Sequence, residues 1–330
     1  MIPHDCFKDT GFPWTRDVAF EPAALALFRH QAANNQVYKT FLSHLGVDAK
    51  QVQCLEDIPH MPIDFFKYHQ VLCTGEKTEQ IFTSSGTTLQ RPSQHHCANL
   101  NWYESICRRT FEDQFGPLMD YTILALLPAY LERQGSSLVH MAQDFILASN
   151  QAESGFYLDN YNALAETLSQ QEALGRKTLL LGVSFALLDF AEKHPMPLKN
   201  TTIMETGGMK GRRKEIVREE LHAILKEAFQ LEQIHSEYGM TELMSQAYAK
   251  GSRFTPPPWM RIQIRETSDP LSYLNHGQTG GINIIDLGNY FSCAFLATQD
   301  LGKTYPQGDF EVLGRFDHSD VRGCNLLVAE

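Results

Sequence analysis

Thr178-Leu-Leu-Leu-Gly-Val-Ser-Phe-Ala-Leu-Leu-Asp-Phe-Ala-Glu192 changes its period in the middle. Its first six residues form an almost unbroken apolar run of strand length, and the residues after Val183 follow a helical pattern. A strand that feeds straight into a helix predicts a βα unit. The same alternation extends outward. Upstream, the pattern predicts a strand over 122–127, a helix over 137–149, a short strand over 155–158 and a helix over 161–173; downstream it predicts a strand over 202–205. Strands and helices taking turns give an α/β body with mixed, largely parallel sheets and flanking helices. Ligands of such sheets gather beyond the carboxyl ends of the strands, so the loops there are the candidate sites.

Toward the N-terminus, Leu25, Leu27, Phe28, Ala32, Val37, Phe41 and Leu45 make an approximate helical stripe, interrupted at Asn34 and Asn35. Ile58-Pro-His-Met-Pro-Ile-Asp-Phe-Phe-Lys67 has two prolines and reads as a loop that packs two aromatics. Ile81-Phe-Thr-Ser-Ser-Gly-Thr-Thr-Leu-Gln-Arg-Pro92 starts as the end of a strand and then runs through six residues that are only Ser, Thr or Gly. Hydroxyls and backbone N–H groups around Gly86 can converge on anionic oxygens, yet ordinary turns have the same composition, and no Gly-Lys-Ser or Gly-Lys-Thr follows to make a Walker loop. Leu100, Tyr103, Cys107, Phe111 and Phe115 recur at helical spacing after it. His95 and His96 invite a metal reading, but no other ligands stand at metal-site spacing, so loop residues are expected there.

Composition narrows the classes of function. The chain has 330 residues, 43% hydrophobic and 20% charged, which suits a globular protein with a substantial core. No apolar run approaches the ~20 residues of a membrane span. Seven cysteines, at 6, 54, 73, 97, 107, 293 and 324, form no Cys-x-x-Cys pair and point to a reducing cytoplasm. The net charge of -11 disfavours nucleic acid as a partner, so an anionic substrate would need local donors or a metal ion.

Glu205-Thr-Gly-Gly208 closes one predicted strand, and the next helix is expected to open on Lys210-Gly-Arg-Arg-Lys214. Positive charge there opposes the helix dipole. Either it is a solvated charge run, or it meets an acidic partner protein or a phosphate-bearing carrier. Ile234-His-Ser-Glu-Tyr-Gly-Met-Thr-Glu242 reads as a strand running into a turn that gathers an aromatic ring, a hydroxyl and a carboxylate. Tyr238 can stack on a purine, Thr241 can donate to a phosphate oxygen and Glu242 can hold Mg²⁺; a tight turn with a buried tyrosine is the plainer reading. Beyond it, Met260, Ile262 and Ile264 alternate, Ile282, Ile284 and Ile285 follow Gly280-Gly281, Thr298-Gln-Asp-Leu-Gly302 is expected to end a strand, and 310–315 forms another. Asp300 is placed to accept ribose hydroxyls and Arg315 to add a charged contact.

Taken in order, Thr83 to Thr88, Tyr238 to Glu242, Asp300, and Gly314-Arg315 with Asp317, Arg322 and Gly323 resemble the motifs of the adenylate-forming acyl- and aryl-CoA ligases. Ile-Pro-x-x-Pro-x-x-Phe-Phe-Lys at 58–67 and Arg-Gly-Cys-Asn at 322–325 resemble the acyl-protein synthetase branch, which includes the synthetase of the bacterial bioluminescence fatty-acid reductase. The resemblance implies ATP and Mg²⁺. Thr83, Ser84, Ser85, Gly86, Thr87 and Thr88 would wrap the phosphates, and Gly207, Gly208 and Tyr238 with Gly239 would bind adenine. Thr241 would meet phosphate, Glu242 would hold Mg²⁺, Asp300 would hold ribose, and Arg315 would reach ribose or phosphate. Cys324 is the cysteine in position to receive the acyl group, with Arg322 beside it, although a small buried filler is an equally simple role for it.

The implied reaction is activation of a carboxylic acid, a fatty acid in that branch, to an acyl-adenylate, then transfer to Cys324 for a reductase or transferase partner. A truncated CoA ligase and a non-catalytic nucleotide-binding relative remain as alternatives. Two departures stand out. Leu89-Gln-Arg-Pro92 replaces the usual Gly-x-Pro-Lys, and the usual C-terminal domain with its lysine is expected to be absent. Three parts are therefore expected: an α/β body over 1–250 with the phosphate loop and adenine turn, a β-rich subdomain over 251–314, and a hinge-like stub over 315–330.

Overall fold

A computed structural model describes residues 19–84, 91–128, 135–207 and 216–316. Helices α1 (Phe20–Asn34) and α2 (Gln36–His44) account for the interrupted stripe. The break is Asn35, whose backbone is extended and whose side-chain oxygen accepts from Val37 and Tyr38 N–H, both at 3.1 Å, capping α2. The two-proline stretch is more ordered than a loop, with β1 (Met61–Pro62) and α3 (Phe65–Tyr68). Next come β2 (Gln80–Thr83) and β3 (Gln94–Cys97), an antiparallel hairpin in a sheet of its own. His95 and His96 lie on β3, so the loop placement is corrected: they alternate with the partly buried ladder across from β2.

Helix α4 (Leu100–Phe115) leads into the alternating run: β4 (Thr122–Leu126), α5 (Ser137–Ser149), β5 (Gly155–Phe156), α6 (Tyr161–Ala173), β6 (Thr178–Val183), α7 (Ser184–Lys193), β7 (Thr201–Thr206), α8 (Arg218–Phe229) and β8 (His235–Tyr238). Strands β5, β4, β6, β7 and β8 pair in that order and all in parallel. Every residue of β4 and β6 is buried, which is why both read as unbroken apolar runs. Asn99, Ser136 and Asn160 cap α4, α5 and α6 with their side chains. Arg108 forks onto Asp144, with Nε at 2.7 Å from Oδ2, and joins α4 to α5. Helix α8 starts at Arg218 after an extended Val217, and its first turn carries Glu219 and Glu220, as the dipole favours. It therefore does not open on Lys210–Lys214, a cluster that falls outside the described residues.

The sheet continues antiparallel through β9 (Ala247–Lys250), β10 (Phe254–Thr255), β11 (Met260–Arg265), β12 (Gly280–Asp286), β13 (Phe295–Thr304) and β14 (Phe310–Arg315). These strands extend one 12-stranded sheet in the order β11-β12-β13-β14-β10-β9-β8-β7-β6-β4-β5, with β1 pairing alongside β13. Thr298–Gly302 lies inside β13 rather than at its end, because pairing with β14 carries the strand on to Thr304 past an irregularity at Leu301/Gly302. Among the described residues no helix is long and apolar enough to cross a membrane.

Leu180 stands in register between Leu124 and Ile203 and is fully buried. Leu180→Ala is expected to cost about 2–5 kcal/mol, through lost burial and the cavity left behind. Urea unfolding checks this, and an unchanged midpoint would remove β6 from the centre of the core.

Candidate active site

The hairpin holds the base of the Ser/Thr/Gly loop shut. Thr83 faces Gln94, Thr83 N–H donates to Gly135 O at 2.7 Å, and Ser84 N–H donates to Ser93 O at 3.0 Å. Ser93 N–H returns to Ser84 Oγ at 2.8 Å. Gly135 has φ +88°, and a Cβ there would meet Ile81 O at 2.8 Å, so this contact needs glycine. Ser85, Gly86, Thr87 and Thr88 lie outside the described residues, as do Gly208, Arg322 and Cys324.

His95 ties this loop to the Tyr238–Glu242 turn. A carbonyl can only accept, so Nδ1–H donates to Thr241 O at 2.9 Å, and Nε2 accepts from the Ser292 hydroxyl at 3.0 Å. Burial, which the Thr241 bond only partly offsets, pushes the His95 pKa down to about 4, and the ring stays neutral. Both ring nitrogens are thus occupied by protein groups. Thr241 is half-buried beside it. Glu242 is 7% exposed; burial raises its pKa, while a hydrogen bond from Ser93 and the charges of Arg315 and Lys67 pull it back. A buried carboxylate facing the base of the loop fits a hard cation. Among the described residues no cluster of three or more His, Cys, Asp and Glu could hold a metal, so an ion here would rest on Glu242 and on ligand oxygens.

Sequence reading did not find the residues that hold this turn. Asn289 Nδ2 donates to Glu242 O at 2.8 Å and to Cys293 O at 2.9 Å, and its Oδ1 accepts from Met244 N–H at 2.8 Å. Asp286 accepts from Ser245 N–H at 2.9 Å, Ser245 Oγ at 2.7 Å and Gly288 N–H at 2.9 Å; burial pushes its pKa up to about 6. The available signal was polar Asn283, Asp286 and Asn289 in and after an apolar strand, where buried polar residues need partners.

The nucleotide-binding candidates converge at the other end of the same turn. Tyr238 OH donates to Asp300 Oδ2 at 2.8 Å, and Arg315 Nε donates to Asp300 Oδ1 at 3.2 Å, across the β13–β14 ladder where Asp300 faces Arg315. The Tyr238 ring lies 5.7 Å from Phe254 and 5.4 Å from Phe310. At 8% exposure it would meet a purine at one margin rather than across an open face. Gly207 follows β7 with φ +69°, its carbonyl 2.8 Å from Ser184 Oγ.

Alternation along β8 turns Glu237 to the opposite face from Tyr238. Glu237 accepts from the Thr206 hydroxyl, and a Cβ on Gly239 would fall 2.2 Å from its Oε1, so a side chain there would have to displace the Glu237 carboxyl. Burial raises the Glu237 pKa to about 7. Glu205 is buried too, which opposes its ionisation, yet His222 and Arg218 hold its carboxyl below the usual range. Arg218 Nε lies 3.1 Å from Glu205 Oε1, so this pair stays ionised while Glu237 tends to neutrality.

No protein-family model matches the chain, and no curated protein matches it in sequence. Solved structures do match in fold. ATP-bound MatB from Rhodopseudomonas palustris aligns with TM-score 0.55 and 15% identity over 71% of this chain and 47% of that one. An ATP-bound RpMatB–BxBclM chimera aligns with TM-score 0.56 at the same identity and coverage. 2-Hydroxyisobutyryl-CoA ligase in complex with 2-HIB-AMP and CoA aligns with TM-score 0.66 and 12% identity over 90% of this chain and 67% of that one. The chain thus has the fold of adenylate-forming ligases, and it spans about half the length of the MatB structures.

Glu237 carries a pH prediction. Its folded pKa of about 7 lies above the ordinary 4.5, so the stability it contributes is complete below the ordinary value and is lost as pH rises through about 7. Glu237→Gln keeps the neutral shape and does not titrate. Its stability relative to the parent should climb between about pH 5 and about pH 8, by on the order of 3 kcal/mol. Denaturant unfolding at several pH values checks this, and an offset that stays constant across the range contradicts it.

Proposed function

We propose that this chain activates a carboxylic acid with ATP, forming an acyl-adenylate, and passes the acyl group to Cys324 for a downstream protein. What carries the reading is the His95 bridge. It brings the strand of the Ser/Thr/Gly loop against Thr241 and Glu242, while the same turn begins at the Tyr238–Asp300–Arg315 trio. The residues read as phosphate-type and ribose-type contacts thereby stand at two ends of one turn. The shared fold supports it, since solved structures with that fold hold ATP or 2-HIB-AMP.

In this reading adenine lies against Gly207, Gly208 and Tyr238, ribose meets Asp300, and Arg315 reaches ribose or phosphate. The phosphates lie under Thr83 to Thr88 and Thr241. Mg²⁺ on Glu242 would supply neutralising charge. A substrate carboxylate oxygen attacks the α-phosphorus, the bond to the bridging oxygen breaks, and pyrophosphate leaves with both electrons. The chain's own task is in-line positioning, because the transferring group needs little covalent help. The Cys324 thiolate, its proton given to solvent and its charge favoured by Arg322, then attacks the acyl carbonyl and expels AMP. The resemblance of 58–67 and 322–325 to acyl-protein synthetases supports a fatty acid as substrate and a reductase or transferase as acceptor, and the seven cysteines without a Cys-x-x-Cys pair support the cytoplasm as location. Residues 1–250 would form the body, 251–314 the β-rich subdomain and 315–330 a hinge-like stub.

A second reading, release of the acyl group to coenzyme A, is favoured by the fold match to a ligase structure that holds CoA. Pyrophosphate release across fatty and aromatic acids, with and without coenzyme A, separates the two, and no release with any acid sinks both. Glu242→Gln should lower the rate roughly a hundredfold, as expected for losing one transition-state charge contact of about 3 kcal/mol. Cys324→Ser should still release pyrophosphate but retain no covalent acyl label; a fully labelled variant rules Cys324 out as acceptor.

A further inference from the structure

The segment that carries Lys67 is wedged between the two halves of the candidate site. On one side, Met61 and Pro62 pair in parallel with Leu296 and Ala297, and Ile63 N–H donates to Ala297 O at 3.0 Å. Gln299, the neighbour of Asp300, donates from Nε2 to Asp64 Oδ2 at 2.7 Å. On the other side, the Phe66 ring stands edge-on to His95 with centroids 5.3 Å apart. The Arg91 guanidinium, just past the Ser/Thr/Gly loop, lies 5.9 Å from the centre of the Tyr68 ring. Helix α3 therefore bridges the strand of Asp300 and the exit of the loop.

Lys67 sits in the middle of this bridge. Its Nζ lies 2.6 Å from Asp64 Oδ1, and the side chain keeps 22% of its exposure. Its charge also acts on Glu242, together with that of Arg315, in opposing the effect of burial. A lysine ammonium is a compact charge on a flexible stem and can change partners by rotation. That change leaves Asp64 its Gln299 bond on Oδ2 but takes the counter-charge from its buried Oδ1, a cost that contact with a polyphosphate has to exceed. In a chain of net charge -11, a polyphosphate needs focused cations close to where it lies.

We propose that Lys67 is a polyphosphate-contacting residue of the nucleotide site, moving from Asp64 to phosphate oxygens when ATP binds. This rests on the ATP-dependent reading above and adds a residue to it. The two-proline stretch then does more than pack two aromatics: it delivers a cation.

The test is calorimetric titration of the full chain with MgATP and, separately, with adenosine, which has the base and ribose but no phosphate. Lys67→Gln should weaken MgATP about tenfold or more, the scale of one charge-assisted contact, and leave adenosine unchanged. Lys67→Arg should recover most of the loss. Asp64→Asn separates a phosphate contact from a merely structural ion pair: it should bind MgATP as well as the parent or more tightly, whereas an ion pair that only holds α3 predicts the same loss as Lys67→Gln. Equal affinity of the parent and Lys67→Gln for MgATP overturns the proposal, as does an equal loss for adenosine or a matching loss in Asp64→Asn. If the folded parent chain binds no MgATP, the reading it rests on falls first, and the proposal with it.

Discussion

The site depends on a neutral, buried histidine. The β2–β3 hairpin shares no ladder with the main sheet, and among the described residues a single backbone bond, Thr83 N–H to Gly135 O, ties it to the segment ahead of α5, so side chains carry much of its placement. Two-stranded hairpins are marginal alone and take their position from side-chain packing. Phe82 packs on Tyr103 at 4.8 Å between centroids, and His95 supplies direction, because each nitrogen has one partner. The Thr241 carbonyl fixes the tautomer, and burial keeps the ring uncharged. A charged ring would offer two donors to a carbonyl and a hydroxyl and would have to be desolvated as well, which burial disfavours.

That histidine is one link in a longer buried chain of polar groups. Ser292, which donates to His95, also accepts at its carbonyl from Asn35 Nδ2 at 2.8 Å, the residue that splits α1 from α2. Gln31 donates to Asn289 O at 2.8 Å and accepts from Ala294 N–H at 2.9 Å. Asn289 holds the carbonyl of Glu242. The N-terminal helices therefore brace the turn that presents Thr241 and Glu242. Buried polar groups weaken a core when half-satisfied and specify one arrangement when fully satisfied. Here the side-chain amides of Gln31, Asn35 and Asn289 all have partners, which favours one arrangement of the turn.

Elements with strong local signals were legible in the sequence. The helices over 137–149 and 161–173 and the strands over 178–183 and 310–315 lie where periodicity puts them, because a full turn of capped amphipathic helix or a doubly buried strand marks itself in neighbouring residues. Tyr238, Asp300 and Arg315, chosen from three separate stretches, meet in one hydrogen-bonded trio. What could not be read depends on distant partners. The continuation of β13 needs β14, and the strand position of the histidines needs β2. His95 reaches across 146 residues to Thr241, and Gln31 across 258 to Asn289. No local pattern encodes such pairs, so the part Asp286 and Asn289 play in holding the turn could not be read.

Charge is handled locally. An acidic chain that is to hold an anion needs cations aimed at one place, and an unpaired buried cation is costly. Arg315 rests on Asp300, Arg91 on the Tyr68 ring and Lys67 on Asp64, the two arginines exposed and the lysine partly so, each with a partner that orients it. On the far face of β8 the opposite solution holds. Among the described residues Glu237 has no ion pair and burial drives it toward its neutral form, while Glu205 one strand away stays ionised against Arg218. Two adjacent strand ends thus carry carboxyls in different states, set by whether a guanidinium is within reach.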